Sequence, residues 1–327
     1  MFRALFFLVC LPSILLAQGI LTDIVDVARP RSLTLDQANA RVAEYWTPER
    51  LKAAQLMDIK LSNGSDNKGG RSLLKDVTIP TGPKSSIPGS MPSGNSTATG
   101  KALSSSGRQV YTTGRVFWSV RGSLSSCSAS VVPSTTGDLI ATAGHCVFDS
   151  AAGGWLINYN WVFVPAYYNG NKPFGTWPAR RMLAFQPWIQ SGDYNYDVAF
   201  VALSTVNGQR IQSRVGSQGI GFNYPRLAFT YALGYPGNLY SGQYLQLCSG
   251  NAQKSQWTRN SFAGQGLSCI MGGGSSGGPW LQSVNDATGL GVVTSVNSFA
   301  INSVPNVMNG PYFGSDVQSL YKSAVVI

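Results

Sequence analysis

The chain is poor in histidine and in charged residues. It has one histidine, His145, in 327 residues, and only 12% of its residues are charged. From Arg108 onward it contains twelve Lys and Arg, six Asp and no Glu. These basic residues are scattered singly, which argues against a nucleic-acid-binding protein despite the formal charge of +10. Acid–base chemistry near neutral pH therefore depends on His145 or on one of a few carboxylates.

Long apolar runs are absent except at the N-terminus. Arg3 precedes an apolar run from Ala4 to Leu16, which is shorter than the ~20 residues of a membrane-spanning helix. Ala17 suits the cleavage position of a signal peptide. Residues 1–17 are therefore predicted to be a secretory signal peptide, with an uncleaved membrane anchor as the alternative. We expect the mature protein to be extracellular and not embedded in a membrane.

Four cysteines remain after the signal peptide, and they allow three disulfide connectivities. Pairing between neighbours in the sequence would join Cys127 to Cys146 and Cys248 to Cys269, and would close two loops of similar length. Disulfides are the expected state of cysteines in a secreted protein. A zinc site is the alternative, but it is disfavoured because the chain lacks C-x-x-C spacing and has a single histidine.

The first hundred residues differ from the rest of the chain in composition and in predicted secondary structure. Thr34 and Gln37 fit a helical capping box, and Thr47 followed by Pro48 fits a second helix start. Residues 62–107 are rich in Ser, Gly, Pro, Thr and Lys, which predicts a flexible linker. Residues 18–107 are therefore predicted to form a propeptide, released by cleavage between about residues 85 and 110, because an exposed linker is a protease target.

From Val110 the chain consists of short β-type runs separated by Gly, Pro and Asn turns, and this pattern is typical of barrels or sandwiches. Predicted strands cover residues 114–120, 126–132, 139–142, 157–164, 197–203, 227–234, 243–248 and 291–296. Residues 285–289 are predicted to form a hairpin turn, and residues 315–323 a final helix. We predict an all-β domain over residues 108–327, divided into barrels at 108–210 and 211–327.

Two motifs indicate nucleophilic chemistry. Residues 142–146 read Thr-Ala-Gly-His-Cys, and residues 274–279 read Gly-Ser-Ser-Gly-Gly-Pro. His145 follows a β-type run and precedes a cysteine expected to be bridged, so its backbone is held firmly, as a general base requires. Ser276 is flanked by glycines, and the amides of Gly274 and Ser276 can point at one oxygen atom. A phosphate-binding loop is excluded because the motif lacks the Lys-Ser/Thr ending.

A carboxylate is needed to orient the imidazole. The six aspartates after residue 108 are the candidates, and Asp197 is preferred because it precedes the apolar run 198–203. Asp193 lies in the polar turn before that run and is the alternative. Whichever of the two is not used is expected to be a solvated turn residue.

The three segments resemble the active-site signatures of the chymotrypsin-like (trypsin-fold) serine proteases. They are residues 142–146, residues 197–200 (Asp-Val-Ala-Phe) and residues 274–279, and they occur in the same order of His, Asp and Ser. Residues 233–237 (Leu-Gly-Tyr-Pro-Gly) resemble a strand-turn segment of the V8-like glutamyl endopeptidases. The resemblance covers residues 110–325 approximately.

The resemblance implies a fold of two six-stranded antiparallel β-barrels with a C-terminal helix, and an active site in the cleft between them. Asp197 would hold His145, Ser276 would be the nucleophile, and Gly274 with Ser276 would form the oxyanion hole. Ser295, Val296 and Asn297 would pair with the substrate backbone as an antiparallel strand. Cys127–Cys146 would be the disulfide that encloses the histidine loop. No metal or cofactor is implied. Protein or peptide substrates and protein inhibitors would be the partners of a monomeric enzyme.

Two positions depart from the family pattern. Ser275 stands where animal enzymes have the Asp that pairs with a newly formed N-terminus, so that activation switch is unavailable. Ile270 stands where trypsins have the Asp that binds Lys or Arg, and the chain lacks a second histidine for glutamyl specificity. We therefore expect Ile270 to form an apolar floor of the specificity pocket.

Two alternatives to a peptidase remain. A catalytically silent homologue that acts as a binding module would have to keep all three residues without using them. An esterase with an α/β fold would have the order Ser, Asp, His, which this chain contradicts.

Overall fold

In the computed structural model of the protein, the described residues are 15–17, 20–27, 32–62, 79, 81–92, 107–158 and 160–327. Most of the predicted signal peptide, together with Asn63 and Asn95, which fit the glycosylation acceptor pattern, lies outside them. Within the described residues, no helix is long and apolar enough to cross a membrane.

The described residues form helices and strands as follows. The α-helices are α1 (Leu35–Tyr45), α2 (Pro48–Ala53), α3 (Gly107–Thr112), α4 (Gln186–Ser191), α5 (Ile211–Val215) and α6 (Ser315–Ala324). Short 3-10 helices cover Gly144–Cys146, Leu156–Asn158, Tyr194–Tyr196, Tyr240–Gly242 and Arg259–Ser261. The strands are β1 (Leu15–Ala17), β2 (Ile20–Asp26), β3 (Gln55–Leu56), β4 (Lys60–Leu61), β5 (Ser85–Ile87), β6 (Thr113–Val120), β7 (Ser123–Val131), β8 (Leu139–Thr142), β9 (Phe148–Asp149), β10 (Gly154–Trp155), β11 (Val162–Pro165), β12 (Trp177–Phe185), β13 (Ala199–Leu203), β14 (Gly219–Phe222), β15 (Phe229–Gly234), β16 (Gln246–Asn251), β17 (Gln253–Lys254), β18 (Gln265–Ser268), β19 (Pro279–Asn285), β20 (Leu290–Val296), β21 (Phe299–Ile301) and β22 (Val304–Gly310).

Six antiparallel strands close into a barrel in the order β12, β11, β6, β7, β8 and β13. Closure occurs because β12 pairs with β11 on one side and with β13 on the other. The pairing of β12 with β13 has a register shift between Ala179 and Arg181, an irregularity of the kind that bends a strand. Closure pairs most of the strand edges, and β2 and β3 add to the remaining edges of β12 and β7. Closure also gives a dry interior, where Val116, Trp118 and Phe200 are buried.

The C-terminal half consists of two further sheets. One has the order β16, β15, β19, β20, β14 and β5, and the other has the order β17, β18, β22, β21 and β4. The predicted hairpin turn is confirmed between β19 and β20, where the Asn285 side chain accepts hydrogen bonds from the amides of Ala287 and Thr288. Helix α6 matches the predicted final helix and packs Leu320 and Tyr321 inward. The predicted mostly β architecture, with a closed six-stranded antiparallel barrel and a C-terminal helix, is thus confirmed.

Residues 32–62, which we call the N-terminal segment, pack on this framework. The predicted capping box at Thr34 and Gln37 is confirmed, and so is the second helix start at Thr47 and Pro48. Trp46 and Leu51 are buried against Phe117 and other residues of the first barrel. These two apolar side chains give the short helices their stability, because helices of this length are marginal alone.

Three sequence expectations differ from the structure. Residues 81–92 were predicted to be linker, but β5 pairs with β14, because Ile79 and Ile87 provide apolar contacts that the polar composition obscures. The strand predicted over 157–164 begins only at Val162, after a 3-10 turn. The strand predicted over 243–248 lies at Gln246–Asn251, opposite β15.

Asp138 provides a test of how the first barrel is tied together. Its buried carboxylate accepts hydrogen bonds from Arg180 on β12 (2.8 Å), from Arg210 before α5 (2.7 Å) and from Thr136. We expect Asp138→Ala to lower the free energy of unfolding by about 1–3 kcal/mol, because it leaves these donors unpaired. Asp138→Asn should cost less. Urea denaturation followed by tryptophan fluorescence measures both, and equal stability of all three proteins would contradict this account.

Candidate active site

His145 lies on a turn that is fixed on both sides. Strand β8 is buried over its whole length and leads into the 3-10 turn Gly144–Cys146. The predicted disulfide between Cys127 and Cys146 is present and ties that turn to β7. Its sulfur atoms lie near the imidazole, but a disulfide offers no thiolate ligand to a metal. The side chain of His145 is 3% exposed.

Asp197 is brought to His145 by strand pairing. It stands two residues before β13, and Ala199 of β13 pairs with Thr142 of β8. Asp197 is completely buried, and its Oδ1 accepts the backbone N–H of His145 at 2.8 Å. Its Oδ2 lies 2.9 Å from His145 Nδ1. This contact assigns the proton to Nδ1, so that Nε2 is the free basic nitrogen. Nε2 is buried and has no hydrogen-bond partner among the described atoms.

The sequence analysis missed Ser298. Its hydroxyl donates a hydrogen bond to Asp197 Oδ2, so the buried carboxylate has three donors. Ser298 lies just after β20, and no local pattern in the sequence marks it. Only the spatial return of the chain to Asp197 reveals it.

Asp193 does not take part in this arrangement. Its carboxylate accepts the backbone N–H of Asn195 at 3.0 Å and the Asn195 side-chain amide at 3.1 Å, and it begins the 3-10 turn Tyr194–Tyr196. The expectation of a solvated residue was wrong, because Asp193 is 1% exposed. Burial raises the pKa of its carboxyl group, and the hydrogen bonds from Asn195 oppose this shift.

The loop that carries Ser276 packs directly against the first barrel. Ser128 of β7 donates its backbone N–H to the Ser276 carbonyl at 2.7 Å. Gly277 has a positive φ of 78°, and a Cβ there would lie 2.1 Å from Thr142 Oγ1. A Cβ on Gly278 would lie 1.9 Å from the carbonyl oxygen of Leu233. Glycine is therefore required at both positions, and the close approach places Ser276 beside the histidine turn.

The amide predicted for an oxyanion hole already has a partner. Gly274, with φ of 90°, donates its backbone N–H to the carbonyl oxygen of Met57 at 2.6 Å. Met57 belongs to the N-terminal segment, and Ser276 is 4% exposed. The candidate site is thus covered by residues of the predicted propeptide.

The structure does not support Ser295, Val296 and Asn297 as a substrate-pairing strand. All three residues are buried, and the backbones of Ser295 and Val296 pair with β19. The Asn297 side chain donates to the carbonyls of Leu233 and Ser275. The Asn297 backbone is also engaged, because it donates to the Gly278 carbonyl at 2.9 Å and accepts the Gly277 amide at 2.8 Å. The edge that accepts another strand is β21, a few residues further along the chain.

A cavity of about 550 Å³ lies beside the Ser276 loop. Ile270 lines this cavity, and its side chain is 55% exposed. Its role as the apolar floor of a specificity pocket stays a prediction. Asn238 holds this wall in place, because its side chain donates to the Ile270 carbonyl and accepts the Gly272 amide. The predicted Cys248–Cys269 disulfide is present just before Ile270. Among the described lining residues, the charged ones are Asp58 and Lys60, both from the N-terminal segment.

Comparisons with known proteins agree with this architecture. No family model matches the chain. A glutamyl endopeptidase of Bacillus licheniformis is 27% identical over 159 residues, which are 46% of this chain and 47% of that protein. The aligned part thus spans about half of this curated relative, and the similarity is consistent with the V8-like branch.

Two solved structures align over nearly their whole length. The thermostable serine protease AL20 from an extremophilic microorganism is 37% identical, with a TM-score of 0.60, and the match covers 67% of this chain and 99% of that one. The protease Anisep from Arthrobacter nicotinovorans is also 37% identical, with a TM-score of 0.59 and coverage of 66% and 96%. With this likeness and its closed six-stranded barrel, the chain belongs to the chymotrypsin-like serine proteases.

Proposed function

We propose that the protein is a secreted serine endopeptidase, synthesised with a pro-segment, that uses Ser276, His145 and Asp197 as a catalytic triad. The observation that carries the proposal is the buried pair of Asp197 and His145, whose Nε2 is left without a partner beside the turn that the Ser276 loop contacts. An unpartnered buried basic nitrogen is costly for stability, and such a group is typical of a site built for chemistry.

The proposed reaction follows from these positions. His145 Nε2 accepts the proton of the Ser276 hydroxyl while Oγ bonds to the carbonyl carbon of the substrate. The amides of Gly274 and Ser276 stabilise the negative oxygen that forms. His145 then gives its proton to the leaving amine nitrogen as the C–N bond breaks. Water hydrolyses the acyl-enzyme in the same way, which returns the proton to Ser276.

Asp197 supports the histidine throughout this cycle. The hydrogen bond from Nδ1 fixes the tautomer, and the carboxylate stabilises the imidazolium that forms. A buried carboxylate is tolerated only when its hydrogen bonds are satisfied. The His145 amide, the imidazole and Ser298 supply them. We propose Ser298 as a positioning residue that acts through Asp197.

The cavity supports a preference for uncharged side chains. Its described lining from residues 237–307 is apolar or carries amide groups, as at Asn238, Asn302 and Asn306. A bound Lys or Arg would lose hydration without gaining a partner. An acidic side chain, as the name of the glutamyl endopeptidase relative suggests, would face the same cost here. We propose protein or peptide substrates, and protein inhibitors as further partners of a monomeric enzyme.

The cleavage that we propose for processing lies after Pro92. Strand β5 is paired with β14, and the backbone of Ser90 is hydrogen-bonded in both directions to Ser217. A cut between Ser85 and Ser90 would have to act on paired backbone, which proteases reach poorly. The predicted range for the cleavage site, about residues 85 to 110, is therefore narrowed to the part after Pro92.

Labelling with a fluorophosphonate, followed by peptide mapping, tests the nucleophile. We expect the label on Ser276, and we expect Ser276→Ala to lower the turnover number by at least ~10⁴-fold. Ser275→Ala is the matched control, since its hydroxyl donates to the Gly272 carbonyl and should be dispensable for labelling. If the protein were a catalytically silent homologue, neither the wild-type protein nor Ser275→Ala would be labelled.

Ser298→Ala tests the third donor to Asp197. A hydrogen bond to a charged group is worth about 1.5–3 kcal/mol, so we expect kcat to fall by at least ~10-fold with little change in KM. Asp197→Asn should be far more damaging, because it removes the acceptor itself. The free energy of unfolding should be measured in parallel. Unchanged kcat in a folded Ser298→Ala protein would remove Ser298 from the mechanism.

Matched peptides that differ only at the residue before the cleaved bond test the specificity. We expect kcat/KM for apolar residues to exceed that for Lys or Arg by ~10-fold or more, since the described cavity lining from residues 237–307 offers no carboxylate. The measurement is a set of initial rates for the processed enzyme. A profile dominated by Arg or Glu would show that the pocket contains a charged partner that this account lacks.

A further inference from the structure

Residues 55–61 cross the candidate site as one extended segment. At one end, β3 pairs in parallel with β7, with Gln55 opposite Ser125 and Leu56 opposite Ser126. At the other end, β4 pairs in parallel with β21, with Lys60 opposite Ala300 and Leu61 opposite Ile301. The segment therefore connects a strand of the first barrel to a strand of the C-terminal half.

Backbone hydrogen bonds hold the segment along its whole length. Met57 donates its amide to the Ser126 carbonyl at 3.1 Å, and its own carbonyl accepts the Gly274 amide at 2.6 Å. The carbonyl of Ile59 accepts the Ala300 amide at 3.0 Å, and the carbonyl of Leu61 accepts the Asn302 amide at 2.9 Å. This is the addition of a strand to exposed sheet edges, with a carbonyl group presented to the oxyanion donor.

The direction of the segment is the reverse of that expected for a substrate. A substrate in this family is expected to pair antiparallel with the strand beside the site, which here is β21. Its residues before the cleaved bond would then lie on β21, and its residues after the bond would lie toward β7. Residues 55–61 instead run parallel to β21. The residues after Met57 therefore lie beside β21, and the residues before Met57 lie beside β7.

The side chains fit this reversed path closely. Leu56 packs where three glycines leave room, since a Cβ on Gly237, Gly242 or Gly274 would lie within 2.2 to 2.7 Å of its methyl groups. Asp58 lies against Gly273 and lines the 550 Å³ cavity. Ile59 packs against the apolar cluster that contains Phe299 and Ile301.

We propose, resting on the serine peptidase function proposed above, that residues 55–61 are a built-in inhibitor that occupies the substrate cleft in reverse. A carbonyl in the oxyanion hole is not sufficient for cleavage, because the leaving nitrogen must receive the proton of His145. In a substrate that nitrogen lies on the β7 side of the carbonyl. In the pro-segment, the nitrogen bonded to the Met57 carbonyl carbon belongs to Asp58 and lies on the cavity side. The Met57–Asp58 bond therefore stays intact while it blocks the site.

This arrangement separates processing from activation. A cut after Pro92 leaves residues 20–62 attached through β2, through the buried Trp46 and Leu51, and through the cleft itself. The cut chain should stay inhibited until the segment dissociates or is degraded. Two steps, and not one, would then release the active enzyme.

Fluorophosphonate labelling of the uncut full-length chain tests the inhibition. We expect uncut wild-type protein to be labelled at least 10-fold more slowly than processed protein. Gly237→Ala should speed labelling of the uncut chain, because the new methyl group would lie 2.2 Å from Leu56 Cδ1 and would displace the Leu56 side chain. Adding Leu56→Ala should slow it again. This rescue would not occur if Gly237→Ala simply damaged the fold.

Ile59→Asp is the second variant, and it should also speed labelling of the uncut chain. Met91→Asp is its control, because Met91 is exposed in the same N-terminal region and lies outside residues 55–61. Equal labelling of uncut and processed wild-type protein would overturn the proposal that residues 55–61 are an inhibitor. Labelling of neither form would instead refute the proposed peptidase function.

Cysteine trapping tests the direction, and it is done in the full-length Ser276→Ala chain so that the result does not depend on catalysis. We expect Lys60→Cys with Ala300→Cys to form a disulfide, since these residues are opposite each other. Gln55→Cys with Ser125→Cys should do the same. Gln55→Cys with Ala300→Cys should not. Non-reducing peptide mapping reads the outcome, and a disulfide between positions 55 and 300 would show a segment bound in the substrate direction and overturn the proposal.

Discussion

The buried carboxylate of Asp197 is the group on which the rest of the site depends. It is fully removed from water, and a buried carboxylate is stable only when its oxygens are satisfied by donors. The backbone amide of His145, the imidazole and Ser298 supply these donors. The same hydrogen bonds fix the imidazole and leave its Nε2 free. The hydrogen bonds that stabilise the buried carboxylate therefore also hold the His145 ring with its Nε2 unpartnered.

The second constraint is the close approach of two backbones. Gly277 and Gly278 let the Ser276 loop lie against β7, β8 and β15, where any side chain would collide with backbone or buried atoms. Glycines 237, 242 and 274 likewise leave the room that Leu56 fills. The proposed inhibitor, residues 55–61, would thus use the same room that the proposed peptidase site needs for its substrate.

Sequence reasoning located the features that have a local pattern. The capping box of α1 is four residues long and is confirmed, and Asp197, chosen because it precedes an apolar run, lies 2.9 Å from His145. The catalytic roles of these two residues and of Ser276 stay predictions. Sequence reasoning failed where a residue's position depends on contacts with residues that are distant in the sequence. Ser298 reaches Asp197 across 101 residues. Substrate pairing was predicted for residues 295–297, whereas the strand that pairs with residues 60 and 61 is Phe299–Ile301, and apolar content does not distinguish these two neighbouring buried stretches. The path of residues 55–61 depends on tertiary strand pairing, which the local sequence does not indicate.

The pairing of His145 with Asp197 can be measured directly, because His145 is the only histidine in the chain. Incorporation of ¹⁵N-labelled histidine gives an NMR spectrum of a single imidazole. At mildly alkaline pH the account predicts a proton on Nδ1, held in a hydrogen bond that changes in Asp197→Asn, and an unprotonated Nε2. A proton on Nε2, or a spectrum that Asp197→Asn leaves unaltered, would contradict it.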